Sequence, residues 1–328
     1  MRFVFRSDAS FSIGAGHVMR SSAIAEEAIN RGISCLFIGE ITEIPWLSDR
    51  VQNLGFHQVL DIDKDFHPSP KSDVLILDSY SIPTDHKFLE IDDWLAVVNI
   101  FDSSTPNYKS QLRIHPGIEK ISDSSFFGKS LSGPKYIPIR KNIRRDRPPA
   151  ENGKLRITVI GGGTDVNGFV TTIAEALKNL DLDFLVRLVT ATHIELDQDA
   201  RFKVIKPGED ADSIFSNTDI AFTTAGTTSL ELLSSGCVVG IACAVENQAN
   251  NYSLLAKLGI AKPIGIYANG SWKLESSEIQ ALVSDSTIRN DLRKNARNFI
   301  DTNGAKRIVD AILELAHELN QKEGSHES

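Results

Sequence analysis

Three cysteines and two methionines are all the sulfur that these 328 residues contain. Cys35, Cys237 and Cys243 are odd in number, lie in apolar surroundings and show no CxxC or Cys/His spacing. That excludes a disulfide framework and a cysteine-held metal as organising devices. The thiols are expected to be reduced core residues of a cytoplasmic protein. HExxH, HxH and paired carboxylate cages are missing too, so no structural metal is expected. No apolar run approaches the roughly 20 residues that a bilayer span requires, so no membrane insertion is expected. Positive charge is in deficit: 35 Lys and Arg face 43 Asp and Glu, for a net charge of −8. General nucleic-acid binding, which needs a basic footprint, is therefore not expected. The one basic cluster, Arg140, Lys141, Arg144, Arg145 and Arg147, reads as a solvated linker. The opening residues form a strand pattern interrupted by Arg2, Arg6 and Asp8, which is not a signal peptide. Two cofactor fingerprints fail. GAGHVM has Met19 where a dinucleotide loop needs its third glycine, and GTDVNGF is not followed by the Lys-Ser/Thr of a P-loop. No cofactor is expected.

What the chain does have is a steady alternation of strand and helix patterns. Hydrophobic residues make up 41% and charged residues 24%, ordinary values for a globular protein. RFVFR reads as a strand, VMRSSAIAEEAINRG as a helix with Val18, Ala25, Ala28 and Ile29 on its apolar face, and SCLFIG as a second strand. Residues 73–79 (DVLILDS) and 94–102 (WLAVVNIFD) are continuous apolar runs, as strands covered on both faces should be. The polar stretch 140–154, with Pro148, Pro149 and Gly153, breaks the pattern and marks a domain boundary. The alternation then restarts with LRITVIGGG and continues through DIAFTTAG and VVGIACAV, and residues 275–321 read as helices. The expectation is an α/β fold of two Rossmann-like domains facing across a cleft, residues 1–145 and 153–328. A cleft of that kind is a preferred ligand site.

Four loops carry candidate chemistry. In the first, RSDASFSIGAGHVMR, a strand runs into Gly14 and Gly16, and His17 follows at the expected start of a helix. Glycines permit a tight turn and close approach to a ligand, a helix N-terminus favours anions, and a histidine exchanges protons near neutral pH. Asp8 is expected to pair with Arg6 or Arg20 as a scaffold, with direct ligand contact as the second option. In the second loop, Gly162, Gly163, Thr164 and Asp165 follow a strand; they either contact phosphate through backbone N–H groups or form a plain turn with Asp165 as cap. In the third, Gly226 precedes Thr227, Thr228 and Ser229 at a helix start, with Glu231 in the first turn. This is either a diphosphate cradle with Glu231 on a ribose, or a capping arrangement. In the fourth, Asn247 and Gln248 either bind a ligand or satisfy their own turn. His57, His67, His86, His115 and His193 are expected to lie in loops without a role.

The GxGHxxR loop, DSY at residues 78–80, GPKYIPIR, GGGTD, AGTTSLE and the NQ turn occur in that order over nearly the whole chain. Together they resemble the UDP-sugar hydrolase family of the pseudaminic acid pathway. That family is itself similar to the lipid II glucosaminyltransferases and shares their GT-B fold. The resemblance implies hydrolysis of a UDP-linked 2,4-diacetamido-2,4,6-trideoxy hexose to UDP and free sugar. It implies His17 as the catalytic histidine, Tyr80 as an active-site tyrosine, and a C-terminal domain holding UDP through Glu231 and residues 227–229. No obligatory protein partner is implied. The family usually reads GSTTWER where this chain reads GTTSLEL, so Leu230 and Leu232 replace an aromatic and a basic residue. Residues 102–117 depart as well. A GT-B glycosyltransferase using the same UDP site, and a non-catalytic nucleotide-sugar binder, are the alternatives.

Overall fold

The computed structural model describes residues 1–10, 13–55, 57–59, 66–102, 105–121, 126, 128–141, 143, 153–191, 193–194, 199–208 and 211–326. Two compact units emerge, Met1–Lys141 with Thr302–Ser328, and Asn142–Asp301. Arg144, Arg145 and Arg147 of the expected linker lie outside the described residues.

The first unit holds strands β1 (Arg2–Arg6), β2 (Ser34–Ile38), β3 (His57–Val59), β4 (Asp73–Leu77), β5 (Ala96–Ile100), β6 (Leu112–His115) and β7 (Lys129–Ser132). They form one sheet in the order β3-β2-β1-β4-β5-β6-β7, and every pairing is parallel. Helix α1 (Gly16–Asn30) covers one face, with α2 (Pro45–Asn53) beside it. On that face Phe3, Phe5, Val74, Ile76 and Val98 pack against Val18, Ala25 and Ala28. Ile29, expected on the packed side of α1, is instead 37% exposed. The other face buries Val4, Leu75, Leu77 and Val97 under Phe66, Phe88, Trp94 and Tyr108.

The second unit repeats the pattern. Its strands are β8 (Leu155–Ile160), β9 (Phe184–Val189), β10 (Phe202–Ile205), β11 (Ile220–Thr224), β12 (Val238–Cys243), β13 (Lys262–Ala268) and β14 (Ser271–Leu274). The order is β10-β9-β8-β11-β12-β13-β14, parallel except for the last pair. Its helices are α3 (Phe169–Lys178), α4 (Ala211–Ser216), α5 (Thr227–Ser234), α6 (Ala249–Lys257), α7 (Ser276–Ser284) and α8 (Ser286–Phe299). The antiparallel β13–β14 hairpin turns at Asn269 (φ 55°) and Gly270 (φ 77°), the two left-handed residues that a tight Asn-Gly hairpin needs.

One expectation is corrected here. The range 153–328 assigned the whole C-terminal stretch to the second domain, yet α9 (Gly304–His326) belongs to the first unit. Its Ile308, Val309 and Ile312 are fully buried in the same core as Phe3, Phe5 and Val98. Arg307 donates to the Lys135 carbonyl, and Arg31 pairs with Asp310. An amphipathic helix takes whichever apolar face is uncovered, and chain order does not dictate which.

Both sheets reverse their strand order next to their first strand, between β1 and β4 and between β8 and β11. The crevice outside the carboxyl ends of those strands is where open α/β sheets bind ligands. All four candidate loops leave strands on that side. Among the described residues, no helix is long and apolar enough to cross a membrane.

Candidate functional site

In the first unit, the loop after β1 turns at Gly14, whose φ of +82° suits glycine. Its N–H donates to the Ser10 carbonyl at 2.8 Å. Gly16 is the first residue of α1, and His17 the second. His17 is 6% exposed and lies against Asp78, the residue directly after β4, which is fully buried. The Asp78 backbone N–H continues the sheet ladder by donating to the Arg6 carbonyl at 2.9 Å, which fixes the carboxylate beside the imidazole.

Asp78 is clamped from two sides. Arg20, one turn along α1, donates from Nε to Asp78 Oδ2 and from Nη2 to Asp78 Oδ1, both at 2.5 Å. His17 Nδ1 lies 2.6 Å from Asp78 Oδ1. Burial alone would push the Asp78 carboxyl up, but the Arg20 charge and the His17 contact outweigh it and hold the group below its ordinary value. The Arg20 guanidinium also loses solvation on burial, yet Asp78 beside it raises its pKa further. An ionised carboxylate only accepts hydrogen bonds, so Nδ1 carries the proton and donates it to Asp78. Arg20 Nη2, 3.0 Å from Nδ1, converges on the same oxygen. The lone pair of a neutral His17 ring is thereby placed on Nε2.

Two further residues complete the cluster. The Tyr80 ring meets His17 edge to face, with centroids 4.3 Å apart, and its hydroxyl donates to Asp102 Oδ2 at 2.5 Å. Arg20 Nη2 lies 3.6 Å from the same oxygen. Burial first, and then Asp102, keep Tyr80 a neutral phenol well above its usual titration range. Arg6 pairs with Asp8 at 2.5 Å, the scaffold expected of Asp8. Asp8 also accepts from the Glu40 N–H at 3.0 Å and the Ser81 hydroxyl at 2.8 Å. Burial opposes its ionisation, but Arg6 prevails and its carboxyl sits below the ordinary value.

Sequence reasoning passed over Asp78 and Asp102 as functional groups. The available signal was position alone: each is the first carboxylate after a continuous apolar run. Two histidines expected in loops lie in strands: His57 opens β3, and His115 ends β6, where its Nδ1 donates to the Phe101 carbonyl at 2.9 Å. His86 accepts from the Phe88 N–H as a helix cap.

In the second unit, the loops after β8, β11 and β12 meet at one hydroxyl. Thr224 Oγ1, at the end of β11, donates to the Gly161 carbonyl at 3.5 Å and accepts from Gln248 Nε2 at 3.4 Å. Gln248 Oε1 accepts from the Ala244 N–H at 3.1 Å, so its side chain satisfies the turn. Asn247 is exposed. Gly162, Gly163 and Thr164 are half-buried, and Gly162 has a φ of +92°. Asp165 accepts from the Val170 N–H at 3.0 Å and the Thr190 hydroxyl at 3.3 Å. It thereby ties the loop to the first turn of α3, and burial pushes its carboxyl up. Gly226 precedes α5, and Thr227 and Thr228 open it. The Ser229 hydroxyl donates back to the Gly226 carbonyl at 2.7 Å. Glu231, expected in the first turn, is the fifth residue of α5 and 5% exposed, because the helix begins at Thr227.

No protein-family model matches the chain. The UDP-2,4-diacetamido-2,4,6-trideoxy-beta-L-altropyranose hydrolase of Campylobacter jejuni is 25% identical over 184 residues, 54% of this chain and 66% of its own length. An uncharacterised protein of Methanocaldococcus jannaschii is 21% identical over 282 residues, 77% of this chain and 57% of its own. The chain thus spans less than two thirds of the length of either relative. Among solved structures, Acinetobacter baumannii MurG has a TM-score of 0.62 at 14% identity, covering 96% of this chain and 100% of MurG. The Neisseria meningitidis UDP-GlcNAc 2-epimerase bound to UDP-GlcNAc gives 0.62 at 12% identity, with coverages of 96% and 100%. The forosaminyltransferase SpnP gives 0.62 at 14%, with 97% and 99%. The fold is GT-B.

Proposed function

We propose that this chain is a GT-B enzyme acting on a nucleotide-linked sugar, and specifically a hydrolase that releases UDP and free sugar. The broader class is supported by the Campylobacter relative and by the UDP-GlcNAc-bound epimerase among its structural neighbours. The observation that carries the finer reading is the His17–Asp78 pair. It is an imidazole with its tautomer fixed by a buried, ionised carboxylate, at the mouth of a glycine loop beside the strand-order reversal.

In this mechanism the second unit holds UDP at the loops after β8, β11 and β12. His17 Nε2 takes a proton from water as the water oxygen bonds to the anomeric carbon. The bond from that carbon to the phosphate oxygen breaks, and UDP departs with the electron pair. Attack opposite the leaving group inverts the anomeric centre. Asp78 stabilises the imidazolium that forms, the role of the third member of a catalytic triad. The substrate proposed is a UDP-linked 2,4-diacetamido-2,4,6-trideoxy hexose, the sugar class in the relative's name.

The test is UDP release from that substrate by purified protein, with no acceptor and a chelator present. Release with stoichiometric free sugar is expected. His17→Asn should lower kcat by about 10²- to 10⁴-fold while UDP affinity stays near wild type; near-normal turnover in that variant would remove His17 as the base. A second reading, sugar transfer to an acceptor, is favoured by the glycosyltransferases among the structural neighbours. It predicts UDP binding without release until an acceptor is added.

A further inference from the structure

The Tyr80 hydroxyl has a single hydrogen to donate, and it is spent on Asp102. The residue that the family resemblance puts at the active site is therefore turned away from a proton-transfer role. What it offers His17 is its ring, set at 87° to the imidazole, a favourable aromatic contact.

Asp102 closes a loop of contacts around His17. One arm is aromatic and runs from His17 to Tyr80 to Asp102. The other is ionic and runs from His17 to Asp78 to Arg20 and on to Asp102 Oδ2. Both arms reach the same oxygen. Asp102 is itself pinned, since Thr105 Oγ1 accepts from its backbone N–H at 3.0 Å and lies 3.3 Å from its Oδ1. Among the described residues, these contacts join two carboxylates, Asp78 and Asp102, to one guanidinium, Arg20, and a protonated His17 would add a second positive charge. The groups that bear on His17 are Asp78 and Tyr80 after β4, Arg20 on its own helix and Asp102 after β5. Beyond them is His115 at the end of β6, which burial holds toward the neutral form.

We infer that Asp102 is a positioning residue for the His17 base, acting through the Tyr80 hydroxyl and the Arg20 guanidinium, and that Tyr80 is likewise a positioning residue and does not bind sugar. The inference rests on the reading of His17 as the base. Losing either member of the Tyr80–Asp102 pair releases the aromatic ring that packs on the imidazole, leaving Asp78 as its remaining anchor, and losing the Asp102 charge makes protonated His17 less favourable.

The test compares Tyr80→Phe, Asp102→Ala, Tyr80→Phe/Asp102→Ala and Asp102→Asn in UDP release. Tyr80→Phe and Asp102→Ala should each lower kcat about 10- to 100-fold, the scale of a small misplacement of a catalytic group. KM should stay within about twofold, and the double variant should be no slower than the slower single, because the two act as one unit. Asp102→Asn keeps an acceptor for Tyr80, so it serves where the alanine variant folds poorly. It should move the acid limb of the kcat/KM profile to lower pH. A raised KM with unchanged kcat in Tyr80→Phe would overturn the inference, as would losses that multiply in the double variant. An activity-independent readout is the imidazole nitrogen NMR signal of His17, assigned with His17→Gln. A single, sharp Nδ1-protonated signal is expected in the wild type; in Tyr80→Phe it should shift and broaden as the ring gains freedom, with the tautomer that Asp78 fixes retained. An unaltered signal in Tyr80→Phe and Asp102→Ala overturns the inference. If the wild type releases no UDP, the hydrolase reading fails and the imidazole signal still decides this one.

Discussion

Asp78 has lost all contact with water, and only its partners make that tolerable. An isolated buried carboxylate would protonate; the two Arg20 hydrogen bonds and the His17 N–H hold it ionised. Asp78→Asn removes the charge but not the volume, leaving Arg20 buried beside a neutral amide, a loss of about 3–5 kcal/mol for a broken buried pair. The pH dependence has a definite sign. The folded-state pKa of Asp78 is depressed, so its contribution is present above the ordinary carboxylate range, about pH 4, and is lost as pH falls through the folded value. Urea unfolding of wild type and Asp78→Asn should differ most near neutral pH and converge in acid. A difference that is constant with pH would show that the pair does not act as an ionised couple. This residue also marks the limit of what a sequence discloses about the site. His17 stands out because a titratable ring in a glycine loop is rare. Asp78 lies 61 positions away, and nothing local separates it from a carboxylate ending any strand. Only the strand order brings the two together.

At the scale of the element, legibility followed burial. β4, β5, β11 and β12 are buried almost throughout, and their apolar runs were readable. β3 (HQV), β6 (LRIH), β7 (KSLS) and β14 (SWKL) are short and partly polar; pairing with a neighbour, and not intrinsic pattern, makes them strands. β14 did carry a signal, the Asn269-Gly270 turn before it. Gly304, at the start of α9, separates propensity from packing most sharply. Helix propensity alone makes Ala better than Gly by about 1 kcal/mol. Yet a Cβ at Gly304 would stand 1.9 Å from the Ile137 carbonyl oxygen and 2.5 Å from its carbon, so α9 would have to move off the segment it rests on. Gly304→Ala should therefore lower Tm despite its better propensity. A raised Tm would mean that the approach of α9 to Ile137 is looser than the structure has it.

The two units share one strand order and differ in the last pair, parallel in the first and antiparallel in the second, and α9 returns to the unit in which the chain began. The strand–helix alternation of the sequence stops and restarts across residues 140–154, and the contacts divide between Lys141 and Asn142. The return of α9 was not legible, since its apolar stripe fits any uncovered sheet face and sequence distance carries no information about which. The return has an energetic consequence. Ile312 is fully buried among the residues of the first core, and Ile312→Ala should cost about 2–5 kcal/mol in lost burial and cavity. That cost should fall on one unit. Amide hydrogen exchange, read peptide by peptide, should accelerate in β1, β4, β5 and α1 and leave β8, β11 and β12 at wild-type rates, because separate cores open as separate cooperative units. Equal acceleration in both sheets would show that the two units unfold as one. Acceleration confined to the second would return α9 to the domain that chain order assigns it.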